Sequence, residues 1–161
     1  MFIFFVDIPC PSTCDPNQTC VRGICVNVQN LGISLVWSRT GDGDLVIKTP
    51  NGKNIFWNNT GPSVNTDWGY LDRDDRVGIG PENIYWPSSG TVPPTGTYDV
   101  CFQPYLFIPI PSRTNPLTAT ITIRAPMRVP IILTKTITFV IQNATQCLKA
   151  SPACLGSFTY P

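Results

Sequence analysis

No histidine occurs in the 161 residues. The usual base for a serine or cysteine nucleophile is therefore missing, as is the usual nitrogen ligand of zinc. Charge is also scarce. Asp, Glu, Lys and Arg make up 13% of the chain, about half the ordinary share of 25%. The eleven basic residues are scattered and the net charge is +1. This excludes the clustered basic surface with which a nucleic-acid binder displaces counterions. No apolar run approaches the ~20 residues that cross a bilayer as a helix, so no membrane span is expected. Seventeen prolines and twelve glycines argue against long helices. A surface with so little charge repels itself weakly, which favours association or a solubilising glycan.

What is present is apolar and rich in cysteine. Hydrophobic residues make up 42% of the chain, too many for a disordered segment, and the length suffices for one domain with a core. Seven cysteines stand at Cys10, Cys14, Cys20, Cys25, Cys101, Cys147 and Cys154. The first four have spacings unlike the C-x2-C pairs of zinc sites, so they read as disulfides formed in an oxidising compartment. Three N-x-T sequons, at Asn17, Asn58 and Asn143, mark candidate N-linked glycans. Together they predict an extracellular or cell-surface location.

Three regions follow. Residues 1–9 are an apolar extended segment, Met1-Phe2-Ile3-Phe4-Phe5-Val6 and then Asp7. It lacks the basic start and longer apolar core of a signal peptide, so the chain reads as a mature form or one keeping a short leader remnant. Residues 10–27 are a cysteine module, too small to bury a core of its own. Nesting suggests Cys10 with Cys20 and Cys14 with Cys25, though four cysteines allow three pairings.

Residues 31–161 carry strands and turns, which predicts an antiparallel β-sandwich, immunoglobulin-like or jelly-roll-like. Strands are expected at 32–37, 45–49, 54–57, 82–86, 97–102, 118–124, 129–133 and 136–141. Tyr98, Val100 and Phe102 alternate onto one face. Asn51-Gly52 marks a hairpin, since both residue types tolerate positive φ. The proline-rich residues 103–116 read as a crossover loop, with Leu106-Phe107-Ile108 free to cover a sheet edge or meet a partner.

Two blocks resemble a known family. One runs Leu35-Val36-Trp37, Gly41-Asp42-Gly43-Asp44-Leu45-Val46-Ile47 and Thr49-Pro50-Asn51-Gly52. The other runs Leu71-Asp72-Arg73-Asp74-Asp75 and Gly78-Ile79-Gly80-Pro81-Glu82-Asn83-Ile84-Tyr85-Trp86-Pro87, closing on Pro93-Pro94-Thr95-Gly96-Thr97-Tyr98. Together they resemble the β-sandwich family catalogued as domain of unknown function 2135, over about residues 33–102. Thr49 stands where that family often has Asp. The resemblance implies a sandwich fold and a secreted or surface setting, and it implies no particular activity.

Several groups of residues are candidate sites. Asp42, Asp44, Asp72, Asp74, Asp75 and Glu82 offer oxygen ligands for Ca2+; the structural alternative is that they cap turns and pair with Arg73 and Arg76. A glycosidase would need two such carboxyls flanking a sugar, and nothing in the sequence places a pair in a cleft. No enzyme is expected. Trp57, Trp68, Tyr70, Tyr85 and Trp86 are a candidate stacking platform for sugar rings, against the alternative of core packing, which is the better reading for Trp37 and Trp86. Met1, Phe2, Ile3, Phe4, Phe5 and Val6 read as a donor strand that adds to the open sheet edge of another copy. The odd cysteine leaves open whether Cys147 bonds Cys154 or whether Cys101 bonds one of them. The resulting expectation is a structural subunit of a surface filament, appendage or matrix that self-assembles through its first residues. The alternative is a carbohydrate- or protein-binding adhesion module, with or without calcium.

Overall fold

The structure is a computed structural model that describes residues 8–140 and 145–161. The predicted assembly residues Met1–Val6 and the sequon at Asn143 lie outside the described residues. Among the described residues the fold is antiparallel β, with one short 3-10 turn at Val64–Thr66. The strands are β1 (Gln18–Val21), β2 (Ile24–Asn27), β3 (Leu31–Trp37), β4 (Asp42–Lys48), β5 (Asn54–Ile55), β6 (Tyr70–Arg73), β7 (Glu82–Trp86), β8 (Gly96–Leu106), β9 (Leu117–Arg124), β10 (Ile131–Ile137) and β11 (Cys154–Tyr160). They form a five-stranded sheet in the order β10-β9-β3-β7-β6, a four-stranded sheet in the order β11-β8-β4-β5, and the separate hairpin β1-β2.

The two large sheets pack face to face, because each turns one alternate set of side chains inward. Leu31, Ile33, Leu35 and Trp37 from β3 meet Leu45 and Ile47 from β4 and Tyr98, Val100 and Phe102 from β8, all with no exposed surface. Rings fill the centre: Trp37 stacks on Phe102 at 6.0 Å, Trp86 meets Tyr98 edge-on at 5.6 Å, and Tyr98 stacks on Phe158 at 5.0 Å. Their polar atoms are satisfied. Trp37 Nε1 donates to Gly78 O, Trp86 Nε1 to Asp67 O and Tyr98 Oη to Pro94 O. Gly69 has no side chain because a Cβ there would lie 2.5 Å from both Ile55 Cδ1 and the Trp86 ring.

The hairpin is cross-linked by Cys10–Cys20 and Cys14–Cys25. Its turn is Arg22-Gly23, both at positive φ, the geometry of a two-residue hairpin turn. It joins the sandwich by polar contacts: Arg22 Nη1 donates to Trp37 O at 2.6 Å and Ile79 O at 3.2 Å, and Asn27 Nδ2 donates to Asp72 Oδ2 at 2.7 Å.

Several expectations are corrected. The two strands expected at 129–133 and 136–141 are one, β10, paired without interruption from Ile131↔Ile123 to Ile137↔Leu117, because Thr134-Lys135 carries no turn residue that would end it. The expected crossover loop begins later, as β8 continues to Leu106. Its proline is tolerated because β11 pairs with β8 only between residues 96 and 101, so Pro104 has a free edge on that side, where a missing N–H costs little. Phe107 is buried against Trp37 and Phe102, while Leu106 and Ile108 are exposed. At Asn51-Gly52 only Gly52 takes positive φ, and the turn closes over Thr49–Lys53. β6 and β11 are additions, each containing a bulge that breaks the strict alternation.

Candidate functional site

The inward-outward alternation of β4 leaves Asp44 on the outer face of the four-stranded sheet, since Leu45 and Ile47 take the core. Asp42 lies two residues earlier, at a bulge where β4 meets the end of β8. The loop after β6 brings in Asp74. Oxygens of Asp42, Asp44 and Asp74 all lie within 4.8 Å of one another. Oxygens sharing one Ca2+ at ~2.3–2.6 Å lie at most about 5 Å apart, so these three fit a single ion. Glu82 reaches them from behind. It is 1% exposed, crosses the interior from β7, and accepts the Leu45 N–H at 2.5 Å through Oε2.

The charges are crowded. Burial, then the neighbouring Asp42 and Asp74 carboxylates, pushes Asp44 up to about 7. Burial also raises Asp42, with Asp74 adding to it. Glu82 is held well above the ordinary carboxyl range by burial, opposed by the Leu45 N–H and reinforced by Asp44 and Asp74. The positive charge at this wall is Arg76, whose Nε donates to Asp74 Oδ2 at 2.9 Å from an exposed position. Buried oxygens remain without a hydrogen-bond partner: Asp42 Oδ1 and Asp74 Oδ1, and Oε1 of Gln103, the register partner of Asp44.

These carboxylates line a cleft of about 280 Å³ together with Arg76, Trp57 and Tyr105. Trp57 is 44% exposed and Tyr105 46%. Two aromatic faces therefore stand open beside the acidic group. Tyr105 was not singled out from sequence. The signal was present in the outward set Cys101, Gln103 and Tyr105 that alternates with Val100 and Phe102, but residues from 103 onward read as a loop.

The structure divides the six predicted metal residues. Asp42, Asp44 and Asp74 come together, with Glu82 behind them. Asp72 and Asp75 do not join them, and this is a correction. Asp72 accepts from Asn27 Nδ2 and Asn83 Nδ2 on the outer face of the five-stranded sheet, and burial raises it against those bonds. Asp75 accepts the N–H groups of Val77, Gly78 and Gly80, which makes it a turn cap. The predicted aromatic platform is also corrected. Trp86 is core, Tyr70 packs on Tyr85 at 5.9 Å on the five-stranded sheet, and of the five only Trp57 lines the acidic cleft.

The third disulfide is Cys101–Cys147, which leaves Cys154 as a free thiol. Of the pairings that the odd cysteine left open, Cys101 with Cys147 is the one formed, and Cys154 is the cysteine left over from the seven. Asn17 and Asn58 are both exposed, as an N-linked glycan requires. Among the described residues no helix is long and apolar enough to cross a membrane. No family model matches the chain, and neither a curated protein nor a solved structure matches it.

Proposed function

We propose that the chain is a secreted binding module whose acidic cleft takes Ca2+ and, through it, the hydroxyl groups of a glycan. The observation that carries this reading is the convergence of Asp42, Asp44 and Asp74 oxygens within 4.8 Å on the wall of a cleft that also exposes Trp57 and Tyr105. Calcium takes about six to eight oxygen ligands. Three carboxylates leave coordination positions facing the cleft, which water or sugar hydroxyls can fill. The indole and phenol faces suit the apolar C–H face of a sugar ring. The disulfides and the exposed sequon residues Asn17 and Asn58 fit an extracellular or cell-surface location.

Calorimetric titration with CaCl2 and a glycan array run with and without chelator test this reading. Calcium binding is expected in the wild type and lost in Asp44→Asn. Glycan binding is expected to vanish with chelator and to fall about tenfold, the worth of ~1.4 kcal/mol, in Trp57→Ala. A wild type that takes up no calcium at millimolar concentration defeats the proposal.

A second reading, the self-assembling surface subunit, is favoured by one observation. Among the described residues no strand pairs with the outer side of β10, the last strand of the five-stranded sheet, and Ile131 and Ile132 on it are 42% and 64% exposed. An open apolar edge accepts an added strand, and the apolar residues 1–8 are suited to supply it. Deleting residues 1–8 tests it: filaments or oligomers seen by electron microscopy should disappear, and assembly that persists removes this reading.

A further inference from the structure

We propose that Cys147 and Cys154 compete for Cys101, and that the chain exchanges its third disulfide between the two. The Sγ atoms of Cys101, Cys147 and Cys154 all lie within 4.8 Å of one another. Cys154 is the register partner of Cys101 across β11 and β8. The adjoining Phe102 N–H donates to Ala153 O. Cys101 and Cys154 therefore occupy the neighbouring pair position without mutual hydrogen bonds, where Cα atoms approach to about 4.5 Å. That separation lies within the range a disulfide spans, about 4.4–6.8 Å. Cys147 reaches the same sulfur from outside the sheet, and its N–H is held by Asn54 Oδ1 at 3.2 Å.

The three sulfurs sit in a small apolar cluster with Val46, Ala153 and Phe56 on the outer face of the four-stranded sheet. Outward alternation puts Cys101 there, because Val100 and Phe102 point to the core. Cys154 stands at the bulge between Cys154 and Gly156, where a strand re-aims its side chains. Lys135 Nζ anchors that bend by donating to Pro152 O and Cys154 O, both at 2.7 Å.

The exchange needs no oxidant. Cys154 gives up its proton and its thiolate attacks Cys101 Sγ. The Cys101–Cys154 bond forms, the Cys101–Cys147 bond breaks, and the electron pair leaves on the Cys147 sulfur, which takes up a proton. Three disulfides and one thiol stand on each side of the step. The thiol moves from half-buried β11 to Cys147, whose neighbours Thr145, Gln146, Leu148 and Lys149 are exposed. The chain thus has two covalent forms, one with Cys147 fastened to the sheet and one with Cys147 as the free thiol.

Alkylation of the full chain at pH 8 followed by non-reducing peptide mapping tests the exchange. Label is expected on both Cys147 and Cys154, with linked peptides for both pairings. A thiol assay should count one thiol per chain in the wild type and lose it entirely in Cys147→Ser, which drives Cys101 onto Cys154. Cys154→Ser should likewise show no thiol, with Cys101–Cys147 as its sole third bridge. Label confined to Cys154 after prolonged incubation of the wild type overturns the proposal, whether or not the variants fold. So does a folded Cys147→Ser chain that keeps two thiols.

Discussion

At the scale of single residues, Asp44 is the most informative position. Its carboxyl is held at about 7 by burial and by Asp42 and Asp74, so folding disfavours its charged form. Asp44→Asn removes that charge while keeping the shape. The cation-free variant should therefore melt higher than wild type at pH 8, and at nearly the same temperature at pH 4, where Asp44 is already protonated. Thermal scans at the two pH values check this. Trp37 illustrates the opposite case. It is fully buried between Phe102 and Phe107, with its indole N–H bonded to Gly78 O. Trp37→Ala should cost about 3–5 kcal/mol, measured by urea unfolding. Both residues carried a sequence signal, yet only Trp37 was assigned its place. A bulky aromatic in an apolar alternation is self-explanatory, whereas the role of Asp44 depends on which distant carboxylates surround it.

At the scale of elements, the β1-β2 hairpin depends on its cross-links. Two strands without a core are marginal in water, and the hairpin is tied to the sandwich by hydrogen bonds from Arg22 and Asn27. Replacing both Cys14 and Cys25 by Ser removes a bridge worth about 3 kcal/mol. Limited proteolysis should then cut within residues 10–27 while the sandwich keeps its melting transition. The boundaries of strands were legible where alternation was strict, as at Leu117–Arg124. They were obscured where a bulge interrupts alternation, as in β6 and β11, and where proline sits on an edge, as in β8.

At the scale of the whole molecule, the acidic group couples stability to pH and to cations. Asp42, Asp44 and Glu82 all have raised pKa values in the fold. A group raised on folding lends stability that is fully present below its unfolded pKa and is lost as pH rises through its folded value. The cation-free protein should therefore draw the full contribution only below about pH 4 and weaken as pH rises from there, with the Asp44 part lost by about pH 7. For Asp44 alone the loss is at most about 4 kcal/mol, or roughly 8–16 °C in Tm for a chain of this size. Calcium should reverse the trend, raising Tm more at pH 8 than at pH 5, because deprotonated carboxylates bind it. Calorimetry with and without calcium reads both effects, and a Tm that rises with pH in chelator contradicts the coupling.

The sequence by itself determined the class of the fold. Alternating apolar residues and frequent turn signals leave few solutions other than packed β-sheets, and a cysteine cluster too small for a core requires cross-links. These are local properties, readable from neighbours along the chain. The tertiary structure decided what neighbours cannot convey. It selected Asp42, Asp44, Asp74 and Glu82 from six acidic residues, set Tyr105 beside Trp57, and gave Cys101 to Cys147 while keeping Cys154 within reach. Each of these depends on strand order and register between segments far apart in the chain, which hydrophobic pattern alone does not fix.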